Sequence, residues 1–330
     1  MALIHPDDEI TTPRSDRIAF RIVERGTDQH CIDQGFKRMA LEAGVTIHYN
    51  TKANPSDCTI IAAGPKDTSA IAFGEVFKTS FPNHVSFQLN DKLAPGAYSY
   101  LIVIDGVGLI CTCLWRKQKN SSRYLNETIA CYEKLYPELD REPIKRVGGK
   151  GDFSIPSTYF TDGQYFVGEA GGLQDFMWGF GMRYAVTSGV MAANCLLNGT
   201  NYDAQIRKEL LPLIKLSATN RMLMNRVGDR GFKRIAKYWM KHQRKNGDDG
   251  LLFIERIYQP SIIRRMLWPI TNRLLLRKVT YSNGRFGRRM PFRKALKRDN
   301  WTMSERGKEI SEEWKKIRAS GGNVSFTESD

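Results

Sequence analysis

The run from Tyr165 to Ala185 constrains the fold of this chain more than any other. Tyr165-Phe166-Val167 reads as a strand, and Gly168-Glu169-Ala170 follows it. A loop with four further glycines (Gly171, Gly172, Gly179 and Gly181) then leads into an apolar helix over about 179–197. Glycines let a backbone approach a ligand closely and turn its N–H groups toward it. The helix that follows aims its positive end at the same place, which suits an anionic or electron-rich group. Glu169, at the carboxyl end of the strand, is placed to accept hydrogen bonds from a polyol or ribose hydroxyl. The same residues would also suit a plain glycine-rich connection with no ligand.

The flanking segments give this loop an α/β setting. Residues 18–24 alternate as a strand does. Ile32, Phe36, Met39, Ala40 and Ala43 recur at helical spacing, and Gly44 is a C′ stop. Short strands are expected at 45–49 and at 58–63, the second running into Gly64-Pro65. Residues 70–155 change character. Strands are expected at 86–89, 98–104 and 108–114, the last two joined by Asp105-Gly106, a favoured hairpin turn. A helix is expected at 122–135. The predicted organisation is α/β (α+β): a partial, Rossmann-like nucleotide-binding unit over 1–69, an interleaved antiparallel sheet over 70–155 and a second nucleotide-binding segment over 156–202. A basic helical extension over 203–330 completes it.

The glycine run resembles the second flavin-binding motif of FAD-dependent oxidoreductases of the geranylgeranyl reductase and flavin monooxygenase (p-hydroxybenzoate hydroxylase-like) type. That family reads Gly-Asp-Ala-(Ala/Gly)-Gly, then a loop, then Gly-x-Gly-(Ile/Met) opening a helix. Here Glu169 stands where Asp is usual. The resemblance implies that Glu169 holds the ribityl or pyrophosphate part of FAD, and that the helix beginning near Gly181 points at the pyrimidine edge of the flavin. Arg25, upstream of the Ile32–Gly44 helix, resembles the arginine that closes over the cofactor. Ile60-Ile61-Ala62-Ala63-Gly64-Pro65 resembles the strand ending in Asp-Gly, with Ala63 replacing the Asp. Ala94-Pro95-Gly96-Ala97-Tyr98-Ser99-Tyr100 resembles the Pro-x-x-Tyr-x-Trp motif of the reductases, with Tyr100 in the Trp position and without the Phe-Pro-Lys-Gly continuation. The cofactor contacts so implied are Arg25, Gly64, Pro65, Gly168, Glu169, Ala170, Gly171, Gly172, Asp175, Gly179, Phe180, Gly181 and Met182. Tyr98, Tyr100 and Trp178 are implied on the substrate side.

The implied activity is FAD-dependent reduction or oxidation of a lipophilic, isoprenoid-type substrate, with NADPH or ferredoxin as electron donor. A flavin monooxygenase is the alternative, as is a non-catalytic split subunit that keeps the fold. A halogenase is disfavoured because no Trp-x-Trp-x-Ile occurs. Flavins transfer hydride and electrons themselves, so no dyad or triad is required, and no catalytic side chain is assigned. The five histidines do not cluster, the six cysteines form no CxxC, and no metal is expected. The family opens with a βαβ unit carrying Gly-x-Gly-x-x-Gly, yet residues 1–24 contain no glycine. The chain is therefore expected to be a fragment, a degenerate copy, or one half of a pair whose separate partner chain supplies that unit.

Charge is unevenly distributed. Residues 204–330 hold 30 basic and 12 acidic side chains, and 13 basic residues with no acidic one lie between Arg256 and Arg298. Basic residues interleaved with Leu, Ile and Trp suit an anionic membrane surface, contacted through 256–298. A solvated helical cap is the competing reading. Nucleic acid is disfavoured, since no helix-turn-helix, zinc or RNA-recognition signature accompanies the charge. With no apolar leader and no long apolar span, a cytoplasmic location is expected, peripheral on the cytoplasmic face of a membrane.

Overall fold

Asp105 and Gly106 take φ of 48° and 80°. Positive φ at both central residues is the geometry whose twist matches paired strands, and this turn joins two strands in strict register, Ile104 opposite Val107. The hairpin sits at the centre of a computed structural model that describes residues 1–272, apart from Ala19, Lys66 and Asp67. In chain order the elements begin with β1 (Ala2–Ile4), β2 (Ile10–Thr11), α1 (Ile32–Glu42), β3 (Ile60–Ile61), β4 (Ala70–Lys78) and β5 (His84–Gln88). They continue with β6 (Ser99–Ile104), β7 (Val107–Leu114), α2 (Ser121–Leu135), β8 (Glu142–Gly151), β9 (Phe160–Thr161) and β10 (Gln164–Phe166). The helices α3 (Met182–Asn198), α4 (Tyr202–Glu209), α5 (Leu211–Lys245), α6 (Leu251–Tyr258) and α7 (Ile262–Thr271) follow.

A seven-stranded sheet runs β2-β1-β5-β6-β7-β4-β8, and a three-stranded sheet runs β3-β10-β9. The class is α/β with an antiparallel-rich main sheet, as expected. Alternation along β6 decides the two faces of that sheet. Leu101 and Val103 point one way, with Ile4, Phe77 and Ile110, against Leu125, Ile129 and Tyr132 of α2. Tyr98 and Tyr100 point the other way, with Phe87 and Cys113, toward Phe176, α3, α4 and the first half of α5. In the small sheet β10 pairs parallel with β3, which is the arrangement that a crossover connection produces.

Several expectations are met closely. α1, α2 and α3 lie where the spacing puts them. Gly44 takes φ of 79°, with the Val45 N–H on Ala40 O and the Gly44 N–H on Leu41 O, a Schellman stop. Others are corrected. Residues 18–24 and 45–49 form no strand, and of 58–63 only Ile60–Ile61 pairs. Alternation alone cannot make a strand where no neighbour takes up the backbone hydrogen bonds. Ile18, for example, is left 68% exposed. Residues 2–4, unmarked in the sequence, pair parallel with β5, so the first strand of the chain belongs to the large sheet.

The C-terminal extension is helical as expected, as α4 to α7. Its first part is no solvated cap, because Leu210, Leu211, Ile214, Ala218 and Met222 are in the main core. Gly228, at φ 54° and ψ −166°, divides α5 into two helical stretches, a conformation essentially reserved for glycine. Of the expected basic stretch 256–298, residues 273–298 lie outside the described residues, as does the polar tail after Ala319. Ile214 is fully buried on this face. Ile214→Ala is expected to cost about 2–5 kcal/mol of unfolding free energy in a urea titration. A peripheral appendix would show almost no change.

Candidate functional site

The glycine loop is built from the end of β10. After Val167 the chain makes a single 3-10 turn, Gly168–Gly171, and the Gly168 N–H donates to Ser188 Oγ at 2.9 Å. Gly172 then takes φ of 65°, and a Cβ there would lie 2.3 Å from the Ser154 carbonyl oxygen. Only glycine fits. Gly181 is different: its φ is −111°, and an added Cβ would meet Gln174 at an ordinary 3.7 Å. The packing of the protein therefore requires glycine at 172 and does not require it at 181. α3 starts immediately after Gly181 with no side-chain cap, and Phe180 and Met182 beside its first turn are 52% and 43% exposed. Its leading N–H groups take no side-chain acceptor among the described residues.

Glu169 is half-buried beside this opening. Both of its hydrogen bonds fall on Oε1, from the Asp152 N–H at 2.8 Å and from Gln174 Nε2 at 3.4 Å. Ala170 and Gly171 complete the same turn.

The rest of the loop is gripped from three directions. The Tyr98 hydroxyl donates to the Trp178 carbonyl at 2.5 Å, and the two rings meet edge to face at 5.4 Å. Asp175 is buried, accepting from the Trp178 N–H at 2.6 Å and from the Tyr258 hydroxyl at 3.2 Å. From α5, Ser217 Oγ accepts the Phe176 N–H at 3.0 Å, and Arg221 Nη1 donates to the Met177 carbonyl at 3.2 Å. The structure thus joins Tyr98, Trp178, Asp175 and the loop, and Tyr100 lies 6.1 Å from Tyr98, ring to ring. Burial pushes the Tyr98 and Tyr100 hydroxyls well above the ordinary tyrosine range. Arg25 is otherwise engaged: its guanidinium grips Asp33 at 2.7 and 2.8 Å and holds that carboxyl down to about 2. Gly64 and Pro65 follow β3 in irregular chain.

Ser217, Arg221 and Tyr258 were not signalled by the loop motif. Their trace in the sequence is helical spacing: Ile214, Ser217, Ala218 and Arg221 share one face of α5, with Arg221 a lone charge within an otherwise uncharged run from Leu216 to Asn225. Arg221 is completely buried and lies 4.6 Å over the Trp115 ring, with Nε and Nη2 unpartnered among the described residues. Two other places are less suited to chemistry. His5, Asp7 and Glu9 bring ligand atoms within 4.8 Å of one another, but Lys233 already pairs with both carboxylates. A concavity of about 480 Å³ beside α2 is lined by Asp91, Lys92, Lys117, Arg123, Tyr124 and Glu127 and takes in none of the loop.

No protein-family model and no curated protein matches this sequence. Solved structures do align with it. A geranylgeranyl bacteriochlorophyll reductase-like protein from Thermoplasma acidophilum is 14% identical over 84% of this chain and 81% of its own, at a TM-score of 0.48. CmlS, a flavin-dependent halogenase, is 13% identical over 87% of this chain and 59% of its own, at 0.40. The flavin-dependent monooxygenase PieE, in complex with FAD and substrate, is 10% identical over 68% and 43%, at 0.27. The chain spans about half the length of the latter two.

The residues present fit the ring and ribityl end of a flavin. They offer an uncapped helix start, a glycine at 181 that packing does not require, and a carboxylate at the strand end. No Gly-x-Gly-x-x-Gly turn for the adenosine end occurs in the sequence.

Two outcomes test this architecture. Gly172→Ala should cost about 2–4 kcal/mol in chemical denaturation, through its positive φ and the clash with Ser154. Asp175→Asn should change how stability depends on pH. Burial raises the Asp175 carboxyl above its ordinary 3.8. Its contribution is therefore complete below that value and is lost as pH climbs through the folded value. The wild type should lose stability relative to Asp175→Asn as pH rises from below 3.8 toward neutrality, and a flat difference would refute this.

Proposed function

We propose that this chain is a flavin-binding oxidoreductase subunit, taking FAD at the Gly168–Met182 loop and acting on a lipophilic substrate of the isoprenoid class. One observation carries the reading. Gly181 opens α3 without a side-chain cap, and a Cβ there would meet only Gln174 at an ordinary 3.7 Å, so the packing of the protein does not account for the glycine. FAD, when bound, supplies the hydride and electron chemistry. The chain's own residues bind and orient. The first amides of α3 favour an electron-rich ring edge, and Glu169 accepts from ribityl or ribose hydroxyls. Phe87 and Tyr100, half-buried and backed by the buried Tyr98 ring, offer an aromatic surface that excludes water from an apolar substrate. Electrons would come from a nicotinamide or ferredoxin donor. The exposed edge of β3 at one side of the small sheet, and α1, of which no residue is buried, leave room for a further strand and helix.

Titration of the full chain with FAD, FMN and riboflavin, followed by flavin fluorescence and by melting temperature, tests this. All three should bind with affinities within about tenfold of one another, since the loop residues meet only the ring and ribityl end that the three share. Gly181→Ala should melt like the wild type while weakening flavin binding by about tenfold or more, because the space it fills is the ligand's. Absence of any flavin signal, or an unaffected Gly181→Ala variant, would end the proposal. Oxygen consumption with NADPH, unaccompanied by alkene reduction, would move it to a monooxygenase.

A further inference from the structure

Helix α7 presents two unlike faces. Its inner face is built in: Trp268 packs on the main core beneath Lys215, and the Thr271 hydroxyl donates to Leu267 O and lies 3.3 Å from Thr219 Oγ1. Arg264, on the same side, donates from Nη1 to the Arg256 and Gln259 carbonyls and so closes the end of α6. The outer face is apolar. Ile262, Ile263, Met266 and Ile270 are 76%, 71%, 73% and 46% exposed. At helical spacing all four fall within one arc of about 100°, with Arg265 at its border. Four large aliphatic side chains on the outside of a ten-residue helix are more than scattered surface exposure.

We infer that this outer face of α7 docks on an anionic lipid bilayer, lying in the interface with Ile262, Met266 and Ile270 among the acyl chains. Charge decides among the occupants that an apolar face could take. The thirteen basic residues from Arg256 to Arg298 include no acidic one to neutralise them. A second copy seated on α7 through a two-fold contact would bring the exposed Arg265 of both copies to the border of one contact. Covering by the chain's own residues 273–298 would set basic residues beside Arg256 and Arg265. An anionic bilayer meets both requirements at once, since apolar area enters the acyl boundary and basic side chains meet the headgroups. Among the described residues no helix is long and apolar enough to cross a membrane, so the contact is with the surface. Docking itself is independent of the flavin reading. Only its purpose rests there: α5, which carries Ser217 and Arg221 to the loop, also packs on α7, so docking would bring the site to a lipid-dissolved substrate.

Flotation of the full chain with phosphatidylcholine vesicles, with and without phosphatidylserine, tests the inference. The chain should float with the phosphatidylserine vesicles, bind the neutral ones far less, and lose binding as salt rises. The double variant Ile262→Ser/Met266→Ser should melt as the wild type does, because both positions are exposed, and should bind the anionic vesicles about tenfold or more less tightly. Any of three results would overturn it: no flotation with phosphatidylserine, equal binding by the double variant, or a dimer that the variant converts to monomer without any vesicle binding. Flavin binding, measured separately on the same variant, should be unchanged.

Discussion

The loop that the flavin reading uses depends on how the backbone of residues 175–178 is held. A loop with so many glycines loses much conformational entropy on ordering, and its buried N–H and C=O groups must all find partners. Here the Trp178 carbonyl is taken by Tyr98 from the large sheet, and the Phe176 N–H by Ser217 of α5. The Trp178 N–H turns to Asp175 within the loop, and the Met177 carbonyl goes to Arg221. Sheet, loop and extension are therefore one construction. Removing any of the three would leave buried polar groups unsatisfied, at about 1–3 kcal/mol each.

Arg221 shows what this construction costs. A fully buried guanidinium forfeits several kcal/mol of hydration. Against that stand one charge-assisted hydrogen bond, about 1.5–3 kcal/mol, and a desolvated contact with Trp115, about 2 kcal/mol. Burial lowers its pKa to about 10, so it keeps its proton at neutral pH. Its effect is geometric: it fixes the Met177 carbonyl, and with it the turn that delivers Trp178 to Tyr98.

What could be seen in the sequence was what local chemistry decides. Asp105-Gly106 dictates its own turn, Gly44 its helix stop, and the strand–glycine–helix run its own connection. What could not be seen was decided at a distance. The alternation at 18–24 is as good as that at 84–88, yet only the second finds neighbours, β1 on one side and β6 on the other. β1 itself is three residues long, too short to mark, and owes its pairing to β5. Within the site, Gly168–Met182 was legible because glycines, Glu169 and a helix start leave a local pattern. Ser217, Arg221 and Tyr258 are ordinary helix residues until folding brings α5 and α6 over the loop.

The surplus positive charge also takes on a different meaning. As a count, it separates residues 204–330 from a nearly neutral body and suggests an appendix. Packing draws the boundary elsewhere. From Leu210 to Met222 the chain is core, and its two charges there are both applied to aromatic rings: Arg221 lies over Trp115, and Lys215 lies over Trp268 at 5.2 Å. Past the break at Gly228 the balance reverses, with Tyr238 and then the outer face of α7 exposed among basic residues. One continuous basic region therefore does two kinds of physical work. Its first turns use cations to seat aromatic side chains inside the fold. Its later turns leave cations and aliphatic side chains together at the surface, where water satisfies the first and not the second.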